Sequence, residues 1–301
     1  MYDVVIPLYN KAATIERCLT SIAAQTEPVN RVFVVNDGSK DDSVKLVDRF
    51  RATAGFDLQI IHQENLGVSA ARNRGVVEST CDIVCFLDAD DAWHPRFMET
   101  LQELTAEYPG ANLYCLGHLL FESGKTFKPK HGCPEGFRGY VENFFTASSN
   151  GSVANSSKVA IRKKAFLETG GFPEGVGIGE DLYLWIRLAS VGKVACDPAP
   201  LVTVYREYDE KRLTRQDGVP YPLDYFGRNK QQLRQVKGLK RFLIRIGIFH
   251  VAGSSLEGNL KGGFRRAKAV IRISTFWGLV SLIILMVPSP LLRLVKSRRS
   301  G

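Results

Sequence analysis

The apolar positions of the first hundred residues follow two periods in turn. Short runs at Val4-Val5-Ile6-Pro7, Val32-Phe33-Val34-Val35, Leu58-Gln59-Ile60-Ile61 and Ile83-Val84-Cys85-Phe86-Leu87 have the length and branched character of strands. Between them apolar residues return at helical spacing: Ile15, Leu19 and Ile22 within 11–24, then Val44, Leu46, Val47 and Phe50 within 42–51. Further helices are expected at 69–78 and near 95–108. Such alternation predicts a mostly parallel central sheet flanked by helices on both faces. Ligands of such sheets bind beyond the carboxyl ends of the strands. Pro7-Leu8-Tyr9, Asn36-Asp37-Gly38 and Asp88-Ala89-Asp90 each follow a strand end, so all three are expected on one edge.

The pattern changes after residue 110. Residues 110–180 are less periodic and glycine-rich, with a strand expected at Val159-Ala160-Ile161-Arg162 and a helix over 181–191 that carries Leu182, Trp185, Ile186 and Ala189 on one face. A basic helix is expected over 228–245. From Ile273 to Leu292 no residue carries a formal charge, and Phe276 to Val287 form the apolar centre of that stretch. Twenty residues reach across a bilayer, but Pro288 and Pro290 interrupt the far end. Basic residues flank both sides: Lys261, Arg265, Arg266, Lys268 and Arg272 before, and Arg293, Lys296, Arg298 and Arg299 after. A span prefers one basic side, so symmetric flanks favour a segment lying in the interface of an anionic leaflet. The expected division is 1–206, a basic helical extension 207–260, and a membrane-associating segment 261–301.

Charge sharpens this division. Residues 1–205 hold 20 Lys and Arg against 25 Asp and Glu, whereas residues 206–301 hold 20 against 6. An anionic partner is therefore expected for the last third. Its basic residues surround an aliphatic block without interleaved aromatics, which favours a membrane surface over nucleic acid. The six cysteines form no CxxC pair and stand at no zinc-like spacing from a histidine, which suits buried free thiols in a reducing cytosol. The first strand begins at Tyr2, leaving no room for a signal peptide's basic and apolar regions.

Three carboxylates, Asp88, Asp90 and Asp91, leave a buried strand together and require a cation or wide solvation. A divalent metal shared with a phosphate is one reading, since hard cations take oxygen ligands. A solvated turn that caps the helix near His94-Pro95 is the other.

Five segments in order, Val4-Val5-Ile6-Pro7-Leu8-Tyr9-Asn10, Val35-Asn36-Asp37-Gly38-Ser39-Lys40-Asp41, Glu64 to Gly75, Phe86-Leu87-Asp88-Ala89-Asp90-Asp91 and Gly179-Glu180-Asp181-Leu182-Tyr183-Leu184-Trp185, resemble the family 2 glycosyltransferases over residues 1–206. That resemblance implies a GT-A fold and inverting transfer of a sugar from a nucleotide-sugar, with UDP-sugar as the expected donor class and dTDP-sugar as the alternative. It implies that Asp181 is the general base, that Asp90 binds a divalent metal (manganese or magnesium), and that Asp88 contacts ribose or the same metal. Pro7, Leu8 and Tyr9 lie against the base, Asp37 accepts the base's imide hydrogen, and Gly67 to Asn73, together with Ala89, line the nucleotide. Gly171 and Phe172 belong to a loop near the donor sugar, and Glu180 supports the acceptor. The Gln-x-x-Arg-Trp signature of processive synthases is absent, so one or a few additions per acceptor are expected. With the basic, apolar tail, a lipid-linked or envelope glycan acceptor at the cytoplasmic face of the membrane is expected. A membrane-recruited nucleotide-sugar-binding protein without turnover is the rival reading. A nicotinamide dehydrogenase is disfavoured because no GxGxxG follows the first strand.

Overall fold

The computed structural model describes residues 1–206 and 218–287 and divides into two compact units, 1–175 with 181–207, and 176–180 with 208–301. Pro288, Pro290 and the basic residues of 293–299 lie outside the described residues.

The first unit is built on ten strands, β1 (Tyr2–Leu8), β2 (Arg31–Asp37), β3 (Asp57–Gln63), β4 (Ile83–Phe86), β5 (Ala92–Trp93), β6 (Ala111–Glu122), β7 (Lys125–Phe127), β8 (Gly139–Tyr140), β9 (Val159–Arg162) and β10 (Lys193–Tyr205). Its helices are α1 (Ile15–Ala23), α2 (Ser43–Arg51), α3 (Val68–Glu78), α4 (Phe97–Glu107), α5 (Phe144–Asn150), α6 (Lys163–Thr169) and α7 (Glu180–Val191). The sheet runs β3-β2-β1-β4-β9-β6-β10-β5, with β7 on β6 and β8 on β10. β1 to β4 alternate with α1 to α3 and pair in parallel, as their apolar runs predict.

The expectation of a mostly parallel sheet is corrected. Four ladders are parallel and five antiparallel, so the sheet is mixed. β9 is inserted antiparallel between β4 and β6, with Val84 opposite Ile161 and Leu113 opposite Ile161 on the other side. Residues 110–150, which show little periodicity, contain the twelve-residue β6. β10 is equally hidden, because Pro198 and Pro200 break its pattern and its register shifts between Cys196 and Pro200.

The core of this unit lies between the β1–β4 sheet and α1 and α4, where Val4, Ile6, Leu8, Leu19, Val34, Phe97 and Leu101 are buried. On the opposite face α3 approaches β1 so closely that a Cβ at Gly75 would stand 2.4 Å from Val5 Cγ1. A separate aromatic cluster joins Phe86 to Phe172 and Trp185, with centroids 5.3 Å and 6.3 Å away.

The second unit is helical: α8 (Tyr221–Arg228), α9 (Lys230–Gln235), α10 (Leu239–Leu256), α11 (Leu260–Ile273) and α12 (Thr275–Met286). The helix expected over 228–245 is thus three, broken at Asn229 and Gly238. Val251, Ala267 and Leu285 bring α10, α11 and α12 around a small core. The uncharged stretch from Ile273 is not one helix. Ile273 ends α11, Ser274 is extended, and α12 has twelve residues, about 18 Å against a hydrocarbon core of about 30 Å. No helix among the described residues is long and apolar enough to cross a membrane.

Candidate active site

Because β2, β1 and β4 are adjacent and parallel, the segments that follow them emerge side by side. Leu8 lies opposite Asn36 in register, and Val5 opposite Phe86. The three polar clusters expected at this edge therefore share it, and each is held by contacts that the sequence pattern alone does not reveal.

At the end of β2, Asp37 is buried and its carboxylate accepts from Gln63 Nε2 at 2.7 Å and from the Leu66 and Gly67 amides at 2.9 Å. It ties β3 and the start of α3 to the tip of β2. Gly67 has φ +94°, a left-handed conformation that glycine takes without strain, and this turns its N–H toward Asp37. Asn36 accepts from the Ser39 amide at 3.0 Å and closes the turn. Pro7 and Tyr9 are half-buried at the end of β1, whereas Leu8 is fully buried and belongs to the core.

Beyond β4, Asp88 and Asp90 each meet a cation. Arg72 Nη2 donates to Asp88 Oδ1 at 2.6 Å, and Lys11 Nζ donates to Asp90 Oδ2 at 2.5 Å. Arg17 Nη2 donates to the Asp90 carbonyl at 2.7 Å and its guanidinium lies 3.6 Å from the Tyr205 ring centre. The Asp88 and Asp90 side chains remain about a third exposed, at 32% and 34%. Ala89 between them is buried.

Asp91 behaves differently, and its reading as a helix cap is corrected. α4 starts at Phe97 after Arg96, so Asp91 stands too early to cap it. It is buried instead, accepting from Ser157 Oγ and, at 3.0 Å, from the Tyr205 amide. Burial first, then the charges of Asp88 and Asp90, push its carboxyl up to about 8, with the Ser157 hydrogen bond opposing them. Ser157 Oγ also accepts from the Asp88 amide at 3.2 Å, so one hydroxyl pins both ends of the acidic turn.

Asp181 lies in the first turn of α7, where its Oδ1 accepts from the Leu182 amide at 2.6 Å. Burial raises its pKa, the Arg72 guanidinium pulls it down, and the Asp88 charge pushes it up again. Asp88, Arg72 and Asp181 therefore act on one another as a single charge cluster. Glu180 opens the same helix and is half-buried.

Asn73, expected beside the nucleotide, and the residues expected near the donor sugar have structural duties. Asn73 clamps the 171–174 loop, donating to the Phe172 carbonyl at 2.9 Å and accepting from the Phe172 amide at 2.9 Å. Gly171, at φ +69°, fits where a Cβ would meet Asn73 Oδ1 at 2.8 Å. The Phe172 side chain is 1% exposed, packed against Phe86, Phe166 and Trp185. Its ring therefore supports the site from below, 5.2 Å under the Arg72 guanidinium, and does not line it. Lys11, Arg17 and Ser157 are not singled out by the sequence, and Arg72 enters there only as one member of the Gly67 to Asn73 segment. A lone arginine inside the small-residue run Ser69-Ala70-Ala71 was the available signal for Arg72.

The profile of the family described as Glycosyl transferase family 2 matches residues 3–170. The uncharacterized glycosyltransferase YibD of Escherichia coli K12 is 36% identical over 127 residues, 42% of this chain and 37% of that protein. Glycosyltransferase AglE of Haloferax volcanii is 28% identical over 213 residues, 65% of this chain and 66% of that protein. The chain thus spans less than two thirds of the length of both. Among solved structures, residues 1–349 of Staphylococcus aureus TarS in complex with UDP-GlcNAc align with a TM-score of 0.72 at 16% identity, covering 100% of this chain and 92% of that one. This likeness shows an α/β GT-A-like fold.

Proposed function

The chain belongs to glycosyl transferase family 2, and we propose that it moves a sugar from a nucleotide-sugar, with UDP-sugar as the donor class, to a hydroxyl of a lipid-linked or envelope glycan with inversion. The observation that carries this reading is the Asp88–Arg72–Asp181 charge cluster at the carboxyl edge of the sheet.

Asp181 is the general base. Inversion needs one carboxylate to take the proton of the attacking hydroxyl, and a carboxylate raised by burial holds that proton better. Arg72 opposes the desolvation and pulls the carboxyl back toward the ionised form, while its bond to Asp88 fixes where the guanidinium stands. Pro7, Tyr9 and the 64–67 turn held by Asp37 form the nucleotide side of the edge, with Asp37 directing backbone amides and the base's imide to the same carboxylate.

The residues present fit a divalent metal. Asp88 and Asp90 offer only oxygen donors, remain a third exposed, and crowd negative charge enough to shift Asp91. Two protein carboxylates beside substrate phosphates are what magnesium or manganese usually takes. Bound there, the ion supplies charge neutralisation on the departing diphosphate. Lys11 and Arg72 offset the charges of Asp90 and Asp88 from the protein side.

The helical unit is the membrane-facing part. On α12, Phe276, Leu279, Ile283 and Met286 recur at helical spacing and are exposed at 54% or more. Lys261, Arg265, Lys268 and Arg272 on α11 are exposed as well. An apolar face beside basic residues suits the interface of an anionic leaflet, at the cytoplasmic side where nucleotide-sugars are made.

The test is transfer or hydrolysis of UDP-sugars by the purified chain with manganese. Asp181→Asn is expected to lower kcat by roughly 10²–10⁴-fold while donor binding persists, and Asp90→Ala to weaken metal-dependent donor binding. Full turnover in both variants would overturn the assignment.

A further inference from the structure

A second cluster of ligand-type side chains lies away from the carboxyl edge. Among the described residues, the three whose donor atoms converge within 4.8 Å of one another are not the Asp88–Asp91 carboxylates but His131, Cys133 and Cys196. His131 and Cys133 sit on the loop between β7 and β8, and Cys196 sits in β10, paired with Gly139 of β8. Cys196 is fully buried, Cys133 is 7% exposed and His131 is half-buried. The Cys196 Sγ to His131 Nε2 distance is 3.8 Å, and the Cys133 amide donates to His131 Nδ1 at 3.0 Å. A cavity of about 440 Å³, lined by His131, Cys133, Glu135 and Asp197, opens beside them.

We propose that His131, Cys133 and Cys196 form a binding site for a thiophilic d10 cation of the zinc type, with the fourth coordination position facing the cavity. One nitrogen and two sulfurs are the donors such an ion prefers, and three protein ligands leave a position for water or an exogenous group. At bond lengths of about 2.3 Å to sulfur and about 2.0–2.1 Å to nitrogen, tetrahedral ligands stand roughly 3.5–3.8 Å apart. For a sulfur and a nitrogen that spacing is about 3.5–3.6 Å, so the observed 3.8 Å between Cys196 Sγ and His131 Nε2 needs only a small closing movement. Binding releases both thiol protons. It also moves the imidazole hydrogen from Nε2 to Nδ1, so the ring must turn away from the Cys133 amide. Two thiolates cancel a divalent charge, so the buried Lys158 ammonium, hydrogen-bonded to the Ser152 carbonyl at 2.8 Å and beside His118 Nδ1 at 3.2 Å, faces no net repulsion. The ion would staple the β7–β8 loop to β10, adding to the short β8 ladder and the Arg138–Asp197 ion pair at 3.6 Å.

The test uses the full chain, reduced and metal-stripped, titrated with cobalt(II) and then zinc. One equivalent of cobalt is expected to give a thiolate-to-cobalt charge-transfer band with tetrahedral visible bands, displaced by zinc. The band is expected to vanish in Cys133→Ser and Cys196→Ser, to weaken in His131→Ala, and to persist in Asp90→Ala and Cys81→Ser. Zinc at about 100 times its Kd should raise Tm by roughly 5 °C in wild type and not in the double Cys133→Ser/Cys196→Ser variant. Should the variants fold poorly, alkylation of wild type read by mass spectrometry gives an independent answer, with zinc expected to protect Cys133 and Cys196. Absence of the band at one equivalent, its survival without both cysteines, or unprotected thiols would each overturn the proposal.

Discussion

Arg72 is the residue on which the candidate site turns. It is 4% exposed, bonded to Asp88, seated over Phe172, and it lowers the pKa of Asp181. Removing its charge as Arg72→Gln leaves burial and Asp88 to raise Asp181 against backbone hydrogen bonds alone. The acid limb of kcat/KM should then move to higher pH, a shift that a merely packing role would not produce. Asp91 gives a second prediction, with the opposite use of a raised pKa. Its carboxyl sits at about 8 when folded and near 3.8 otherwise, so across that window the folded state holds a proton that the unfolded chain has released. Wild-type stability should fall as pH rises from 4 to 8 and level off above. Asp91→Asn mimics the protonated acid, donating to Ser157 and accepting from Tyr205, and lacks this slope. Urea unfolding should show the variant gaining on wild type by at least ~2 kcal/mol between pH 5 and pH 8. The sequence displayed the acidic residues themselves but not their cations. Lys11 and Arg72 lie 79 and 16 residues from their partners, and only the sheet order joins them.

Among the elements, α3 and β1 form a tight joint. Gly75→Ala would normally favour a helix by up to ~1 kcal/mol. Here the added Cβ meets Val5 at 2.4 Å, so overpacking should win and cost ~1–2 kcal/mol, read as a lower urea midpoint. Val5→Ala in the same chain should recover part of that loss, because the two sites share one contact. The strands β1 to β4 and helices α1, α2 and α4 were legible because each carries one clear period, whereas α3, rich in small residues, was legible from its place between two strands. β6 and β10 were not. Proline pairs and a register shift obscure β10, and His118 and Gly117 interrupt the apolar run of β6. The direction of β9 was also hidden, since four apolar or basic residues specify a strand but not its sense. Only the long connections around it allow an antiparallel insertion, and connection length is a weak guide to it.

For the whole molecule, the acidic first two-thirds and the basic last third correspond to two units with separate cores. The helical unit exposes Phe276, Leu279, Ile283 and Met286 on one face of α12. If that face enters a leaflet, the double variant Phe276→Glu/Ile283→Glu should lose at least tenfold in sedimentation with anionic phospholipid vesicles, while wild type should bind neutral vesicles more weakly. Unchanged co-sedimentation would remove the membrane from the account. The inserted β9 has a consequence for synthesis. β4 is complete at residue 86, yet the strand that covers its outer edge begins only at Val159. At roughly 5–20 residues per second, the nascent sheet carries a bare, wholly apolar margin on the ribosome for about 4–15 s. During that interval the growing chain is open to pairing with a neighbour on the same message, and slower translation of residues 87–158 would lengthen the exposure.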